Sequence, residues 1–158
     1  MKGAIETRVK PKVDVTTSTV IDRPIAKVAH FASDPDNAPR WYENIESVKW
    51  ETPRPLVLGS RFAFTARFIG KRLEYTYEVV ELVPLERMVM RMSDGPFPME
   101  TTYTWERITN GSTRMTMRTR GSPSGFSKLA GPLMSRAVRK ATEKDLATLK
   151  ELLEASRK

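Results

Sequence analysis

The chain has 158 residues, 39% of them apolar and 29% charged, with 27 basic against 19 acidic side chains, no cysteine and one histidine. That length suits one domain with a substantial core, and the composition is that of a folded chain. Without cysteine there are no disulfides, thiolate metal sites, iron–sulfur clusters or cysteine nucleophiles, and a Ser-His-Asp triad would have to use His30.

Residues 1–12 are polar and carry Lys and Arg. They are expected to form a flexible N-terminal tail before a single domain over 13–158. They contain no apolar signal-like region, and no 18-residue apolar stretch follows, so the expectation is a cytoplasmic chain with no membrane-spanning helix.

Val13–Ile21 is β-branched and reads as a strand. Asp22-Arg23-Pro24 opens a helix, with Asp22 or Arg23 near the cap and Pro24 in the first turn. Ile25, Val28, Ala29 and Ala32 repeat along it at helical spacing. Asp34-Pro35-Asp36 ends this helix and starts a second short one running to about Tyr42.

Strands follow. Ile45–Glu51 is the first, then a turn with Pro53, Pro55 and Gly59. Arg61–Ile69 places Phe62, Phe64, Ala66 and Phe68 on one face. Gly70-Lys71 reads as a tight hairpin turn. Arg72–Leu82 alternates again, with Leu73, Tyr75, Tyr77 and Val79 together and Glu74 and Glu78 opposite. Arg87–Ser93 groups Met88, Met90 and Met92. Met99–Arg107 groups Met99, Thr101, Tyr103 and Trp105. Asn110-Gly111 is a strong hairpin signal, and Thr113–Arg120 sets Met115 and Met117 against Arg114, Arg118 and Arg120. Period-two alternation in consecutive strands predicts an antiparallel sheet with one buried face. The only long segment able to cover it is Ser124–Ala155, where Phe126, Leu129, Leu133, Ala137, Val138 and Ala141 fall at helical spacing. Pro132 should kink this helix or begin a new one.

The order of strand, two short helices, about six strands and a long helix carries a resemblance. Val20-Ile21-Asp22-Arg23-Pro24-Ile25-Ala26-Lys27-Val28, Ser33-Asp34-Pro35-Asp36-Asn37-Ala38-Pro39-Arg40-Trp41, Leu58-Gly59-Ser60-Arg61-Phe62 and Asp145–Glu154 together resemble the START-like (SRPBCC) superfamily in its polyketide cyclase/dehydrase branch. The resemblance covers about residues 13–155. It implies an α+β helix-grip fold, START/Bet v 1-like: a curved antiparallel sheet of about seven strands, two short helices, and a long C-terminal helix packed across the sheet over an apolar cavity. The pattern often has an aromatic just after Val28; here it is Ala29, which leaves space at one end of the core or shifts packing to Phe31. Such a fold does not fix function. Members differ in their catalytic residues, and none is carried over.

The inward faces are rich in Met and aromatics. Met adapts to irregular apolar shapes, and buried Tyr hydroxyls need partners. An apolar concavity with a few polar tips is the usual small-molecule site. The leading expectation is therefore binding of a small hydrophobic ligand, such as a lipid, isoprenoid or aromatic polyketide-like molecule, between the sheet and the C-terminal helix. The candidate ligand-binding residues are Trp41, Tyr42, Phe62, Phe64, Phe68, Tyr75, Tyr77, Met90, Met99, Tyr103, Met117, Phe126, Leu129 and Leu133. Trp41 and Tyr42 suit either the core or the cavity rim.

The alternative is a cyclase or dehydratase in which positioning does most of the work and Tyr75 or Tyr103 serves as acid or hydrogen-bond donor. No nucleophile, metal site or histidine dyad supports it, and no cofactor is expected. Among the carboxylates Glu43, Glu74, Glu78 and Glu100, alternation turns Glu74 and Glu78 to solvent, and His30 is expected to be at least half exposed. A further alternative is an interaction module. Residues 114–158 carry 11 basic and 4 acidic side chains, and Arg114, Arg118, Arg120, Lys128, Arg136, Arg139 and Lys140 could form one basic surface for an anionic membrane or an acidic partner. No aromatic–basic interleaving of the RNA-binding kind accompanies it, which argues against nucleic acid. Oligomeric state is left open.

Overall fold

A computed structural model describes residues 13–95, 98–122 and 131–156. Seven strands form one sheet in the order β1-β7-β6-β5-β4-β3-β2, every neighbouring pair antiparallel. They are β1 (Val13–Ile21), β2 (Ile45–Trp50), β3 (Arg61–Phe68), β4 (Lys71–Val83), β5 (Arg87–Asp94), β6 (Met99–Thr109) and β7 (Ser112–Gly121). Between β1 and β2 lie helix α1 (Ile25–Ser33), a 3-10 turn (Pro35–Asn37) and the single turn α2 (Ala38–Trp41). Helix α3 (Gly131–Ala155) closes the chain. The expected helix-grip architecture is the one observed.

The polar-apolar alternation places the strands. β1 buries Val13, Val15, Thr17 and Ile21, and β3 buries Phe62, Phe64 and Ala66, while the residues between them point out. The alternation in β4 is interrupted. Val79 pairs with Met90 and Glu81 with Val89, so Val80 is an inserted bulge residue. The bulge brings both Val79 and Leu82 onto the core, three residues apart.

Local signals differ from expectation in three places. Pro24 is the N-cap of α1, not a first-turn residue; its missing N–H removes no helical hydrogen bond there. The β3–β4 turn is Ile69-Gly70, not Gly70-Lys71, because Phe68 pairs with Lys71. Both turn residues have positive φ, 50° at Ile69 and 74° at Gly70, as a two-residue primed turn requires. A β-branched residue is strained there. The β6–β7 hairpin solves the same problem with Asn110-Gly111, flanked by paired Thr109 and Ser112. Ile69→Asn is accordingly expected to stabilise the protein by about 1 kcal/mol, read as a higher urea midpoint at unchanged slope; an unchanged or lower midpoint contradicts it.

The third difference is the phase of α3. Its buried residues are Met134, Val138, Thr142, Asp145, Leu146, Leu149 and Leu153. Leu133, expected on the inner stripe, is half exposed. One residue is a turn of about 100° around a helix, so Met134 takes the inward place and Leu133 swings out. Pro132 stands in the first turn of the described helix, where it is tolerated. The segment 124–130, expected to be helical, lies outside the described residues, as do Phe126, Lys128 and Leu129.

The far end of α3 is tied to the β1–α1 corner. Arg23 donates from Nη2 to the Glu154 carbonyl and from Nε to the Ser156 carbonyl at 3.0 Å. These acceptors are terminal carbonyls that the helix itself leaves unpaired. Lys150 Nζ donates to the Val20 carbonyl at 2.7 Å, and the Asp22 N–H donates to Glu154 Oε2 at 2.8 Å. A positively charged side chain at this end also interacts favourably with the negative end of the helix dipole. The grip of helix on sheet is thus fixed at one end by polar bonds and along its length by apolar burial.

Candidate functional site

The space between α3 and the concave sheet is not filled. A cavity of about 140 Å³ remains, and a smaller one of about 50 Å³ adjoins it. The sheet supplies Ala66 and Phe68 from β3, Leu73, Tyr75 and Tyr77 from β4, Met92 from β5, Met99 and Thr101 from β6, and Met117 and Thr119 from β7. Helix α3 supplies Met134, Val138, Ala141, Thr142 and Asp145, and the chain leaving α2 supplies Tyr42, Asn44 and Ile45. The smaller chamber shares Tyr42, Ile45, Tyr75, Tyr77 and Thr101 with the larger, continues to Phe62, Phe64, Met88, Met90 and Tyr103, and is bounded by Ser33, Asp34 and Pro35 at the end of α1.

The space lies between the curled sheet and α3, and small residues, Ala66 from β3 and Ala141 from α3, line it. A glycine also shapes it. A Cβ at Gly121 would lie 2.1 Å from Met99 Sδ and 2.5 Å from the Pro98 carbonyl. Without one, Met99 can lie across the end of β7 and wall the cavity.

The sequence candidates divide among these walls. Tyr42, Phe68, Tyr75, Tyr77, Met99 and Met117 line the larger chamber; Phe62, Phe64, Met90 and Tyr103 line the smaller one. Trp41 is buried in the core behind them, its ring 4.4 Å from Tyr42 and 5.8 Å from Tyr103 between centroids. Leu133 faces away from both chambers for the reason of helix phase given above.

Four tyrosine hydroxyls converge on this interior. Tyr42 Oη and Tyr103 Oη are hydrogen-bonded at 2.5 Å, and Tyr77 Oη is bonded to Thr101 Oγ1 at 3.0 Å. The Tyr75 hydroxyl has no hydrogen-bond partner among the described residues. Burial pushes all four phenols up, Tyr77 to about 12 against the opposing effect of its Thr101 bond. They are therefore neutral hydroxyls at any physiological pH, fit to orient a ligand by hydrogen bonds.

Sequence reading missed Asp145. It is 2% exposed and lines the larger chamber. Its Oδ1 accepts the Glu43 backbone N–H at 2.9 Å, and Oδ2 has no partner among the described residues. Burial pushes its carboxyl up to about 7; the Glu43 N–H bond and nearby Lys144 act against this, and the Glu43 carboxylate adds to it. Lys144 does not neutralise it directly, because its ammonium is turned outward onto Glu43 Oε2 at 2.8 Å. The signal was in the chain: Ala141, Asp145, Leu149 and Leu153 recur every four residues, so a carboxyl stands on the inner face of the helix.

The other polar candidates lie elsewhere. His30 is exposed on α1, as expected. Glu100 is engaged by Arg91 at 2.9 Å and by Arg120 at 3.6 Å. The expected basic surface is partly compensated on its strand side. Arg114 meets Glu106 at 3.1 Å, and Arg118 and Arg120 meet Asp14 at 2.8 and 3.9 Å. Arg139 donates to the Thr16 carbonyl at 3.1 Å. Among the described residues no group of three His, Cys, Asp or Glu side chains is placed to hold a metal, and no helix is long and apolar enough to cross a membrane.

Residues 12–154 match the family described as polyketide cyclase / dehydrase and lipid transport. The chain belongs to this family. No curated protein matches it significantly. Among solved structures, a START superfamily protein from Mycobacterium smegmatis superposes with a TM-score of 0.78 at 14% identity, covering 90% of this chain and 97% of that one. The ZhuI aromatase/cyclase from Streptomyces sp. R1128 gives 0.73 at 13% identity, covering 89% and 93%. A major latex-like protein from Panax ginseng gives 0.66 at 13%, covering 90% and 95%. At these identities the likeness establishes the START/Bet v 1-type fold.

Proposed function

We propose that this member of the polyketide cyclase / dehydrase and lipid transport family binds a small hydrophobic ligand, of lipid, isoprenoid or aromatic polyketide type, between α3 and the sheet. The observation that carries this reading is the unfilled interior. Natural cores pack to crystal-like density, with few voids larger than a water molecule, so about 140 Å³ left open beneath a helix costs stability. Its walls are Met and aromatic side chains with a few polar tips, the usual make-up of a small-molecule site. The family description, which joins lipid transport with polyketide chemistry, points the same way.

Native mass spectrometry of the purified protein tests it, with a panel of lipids and aromatics added to stripped protein. A non-covalent mass excess or saturable binding is expected. The variant Ala141→Phe, which puts a ring into the chamber from α3, is expected to fold and to lower affinity at least about tenfold. Absence of any bound or added ligand, or full affinity in a folded Ala141→Phe, contradicts the reading.

A second reading, a cyclase or dehydratase, is favoured by one observation: Asp145. A carboxyl held near neutrality can give a proton to an oxygen that is reduced in bond order or expelled as water, and can take one from a carbon next to a carbonyl. The chamber would fold the substrate and exclude water around that group. In this reading Asp145→Asn lowers kcat on an aromatic polyketide precursor by about 100-fold or more, with ligand affinity at neutral pH changed only a few-fold. Turnover equal to wild type would remove Asp145 from the chemistry.

A further inference from the structure

Resting on the ligand-binding reading, the polar groups of the chamber narrow what the ligand is. We propose that Asp145 and the neighbouring tyrosine hydroxyls select an uncharged amphiphile ending in a carbonyl oxygen, and exclude one ending in a carboxylate or phosphate.

Three observations carry this. First, neither chamber wall contains Arg, Lys or His among the described residues. An anionic headgroup brought inside would lose its water with no cation to compensate. Carboxyls already line both chambers, Asp145 the larger and Asp34 the smaller, so the anion would also meet like charge. Second, the interior has hydrogen-bond donors left over. Tyr42 and Tyr103 share one bond between two hydroxyls, so one proton of the pair remains to be given. The Tyr75 hydroxyl has no hydrogen-bond partner among the described residues. Third, Asp145 is fixed through Oδ1 by the Glu43 N–H, while Oδ2 has no hydrogen-bond partner among the described residues. Protonated, Oδ2 is a donor suited to a carbonyl oxygen; ionised, it repels that oxygen.

The charged and titratable neighbours are few. On its own helix Asp145 has Lys144, bound outward to Glu43. The chain leaving α2 brings Tyr42 and Glu43, β4 brings Tyr75 and Tyr77, and β6 brings Tyr103. β1, which packs along the same helix, contributes the neutral Thr17, whose hydroxyl donates to Thr142 Oγ1 at 3.3 Å. With the phenols neutral throughout, Asp145 is the group whose ionisation changes the site near pH 7. A carbonyl ligand that binds only the protonated form weakens by about 30-fold between pH 5.5 and 8.5 when the carboxyl titrates near 7.

The test uses the full chain, stripped of bound lipid, and three probes with the same nine-carbon chain: 2-nonanone, nonanoic acid and nonylamine. Calorimetric titration is expected to show the ketone binding at least tenfold tighter than the acid at pH 7. Ketone affinity is expected to fall by tens of fold from pH 5.5 to 8.5 in wild type, and to stay flat in Asp145→Asn, which keeps a donor and has no charge to gain. Acid binding as tightly as ketone overturns the selectivity, and so does a flat ketone profile in wild type, a result that needs no variant to fold. Either result leaves the hydrophobic cavity reading standing. Failure of all three probes, with no bound lipid released on stripping, removes the cavity reading itself and the selectivity with it.

Discussion

Replacing Asp145 with Asn is expected to make the protein more stable above pH 7. The native state holds the Asp145 proton up to about 7, whereas the unfolded chain releases it near the ordinary 3.8. Between those values the native state binds more protons than the unfolded one, so this group makes stability fall as pH rises from about 4 to about 7 and then level off. Three units correspond to roughly 4 kcal/mol. Asp14 and Glu154 work in the opposite sense. Arg118 beside Asp14 and Lys150 beside Glu154 hold those carboxyls low, so their contributions are present above the unfolded values and fade as pH falls through the folded ones. Asp14 is exposed and Glu154 is partly so; both are screened by solvent, and their contribution is small. The difference between wild type and Asp145→Asn cancels them. Unfolding free energies from urea titrations at pH 4 to 8.5 should coincide at the acid end and diverge by about a few kcal/mol, in favour of the variant, above pH 7. Parallel curves would mean that Asp145 is not buried as described.

The second large effect falls on Trp41. Truncation to Ala removes a 1%-exposed indole against which the Tyr42 and Tyr103 rings pack, and should cost about 3–5 kcal/mol. Trp41→Phe should cost far less than its size suggests. Trp41 Nε1 is buried without a hydrogen-bond partner among the described residues, and such a donor costs about 1–3 kcal/mol to bury. Phe removes this penalty along with part of the ring, so the net change should lie within about 1.5 kcal/mol of wild type. If Phe and Ala cost the same, the indole N–H is satisfied after all. Because Trp41 backs the Tyr42–Tyr103 pair, the Ala variant should also weaken ligand binding, and the Phe variant should not.

Much of the fold was legible because its strands carry a strict two-residue period. Phe62, Phe64 and Ala66 alternate against Arg61 and Arg67 so regularly that the inward face follows from the sequence, although the pairing with β4 did not. Asn110-Gly111 marked its hairpin for an equally local reason. Ile69-Gly70 did not, because Ile has no preference for the conformation it takes there; pairing on either side imposes it. The Val80 bulge was hidden for the same reason: Val79, Val80 and Leu82 are all apolar, and the pattern cannot tell which one the sheet turns outward.

The site was legible in its materials and not in its arrangement. By itself the sequence determined a sheet with a Met- and Tyr-rich inner face, a long helix to cover it, and the absence of cysteine chemistry. These depend on short-range periodicity and on composition. The tertiary structure decided that the inner faces do not meet, that Met134 and not Leu133 turns inward, and that Asp145 stands in the remaining space with a single N–H partner. Those outcomes depend on the curvature of the sheet and the rotational phase of α3. Both are set by contacts more than 100 residues apart in the chain, such as Glu43 with Asp145 and Arg23 with Glu154. A local pattern fixes which face of an element is apolar; only packing against a distant partner fixes how closely that face approaches it, and hence whether core or cavity results.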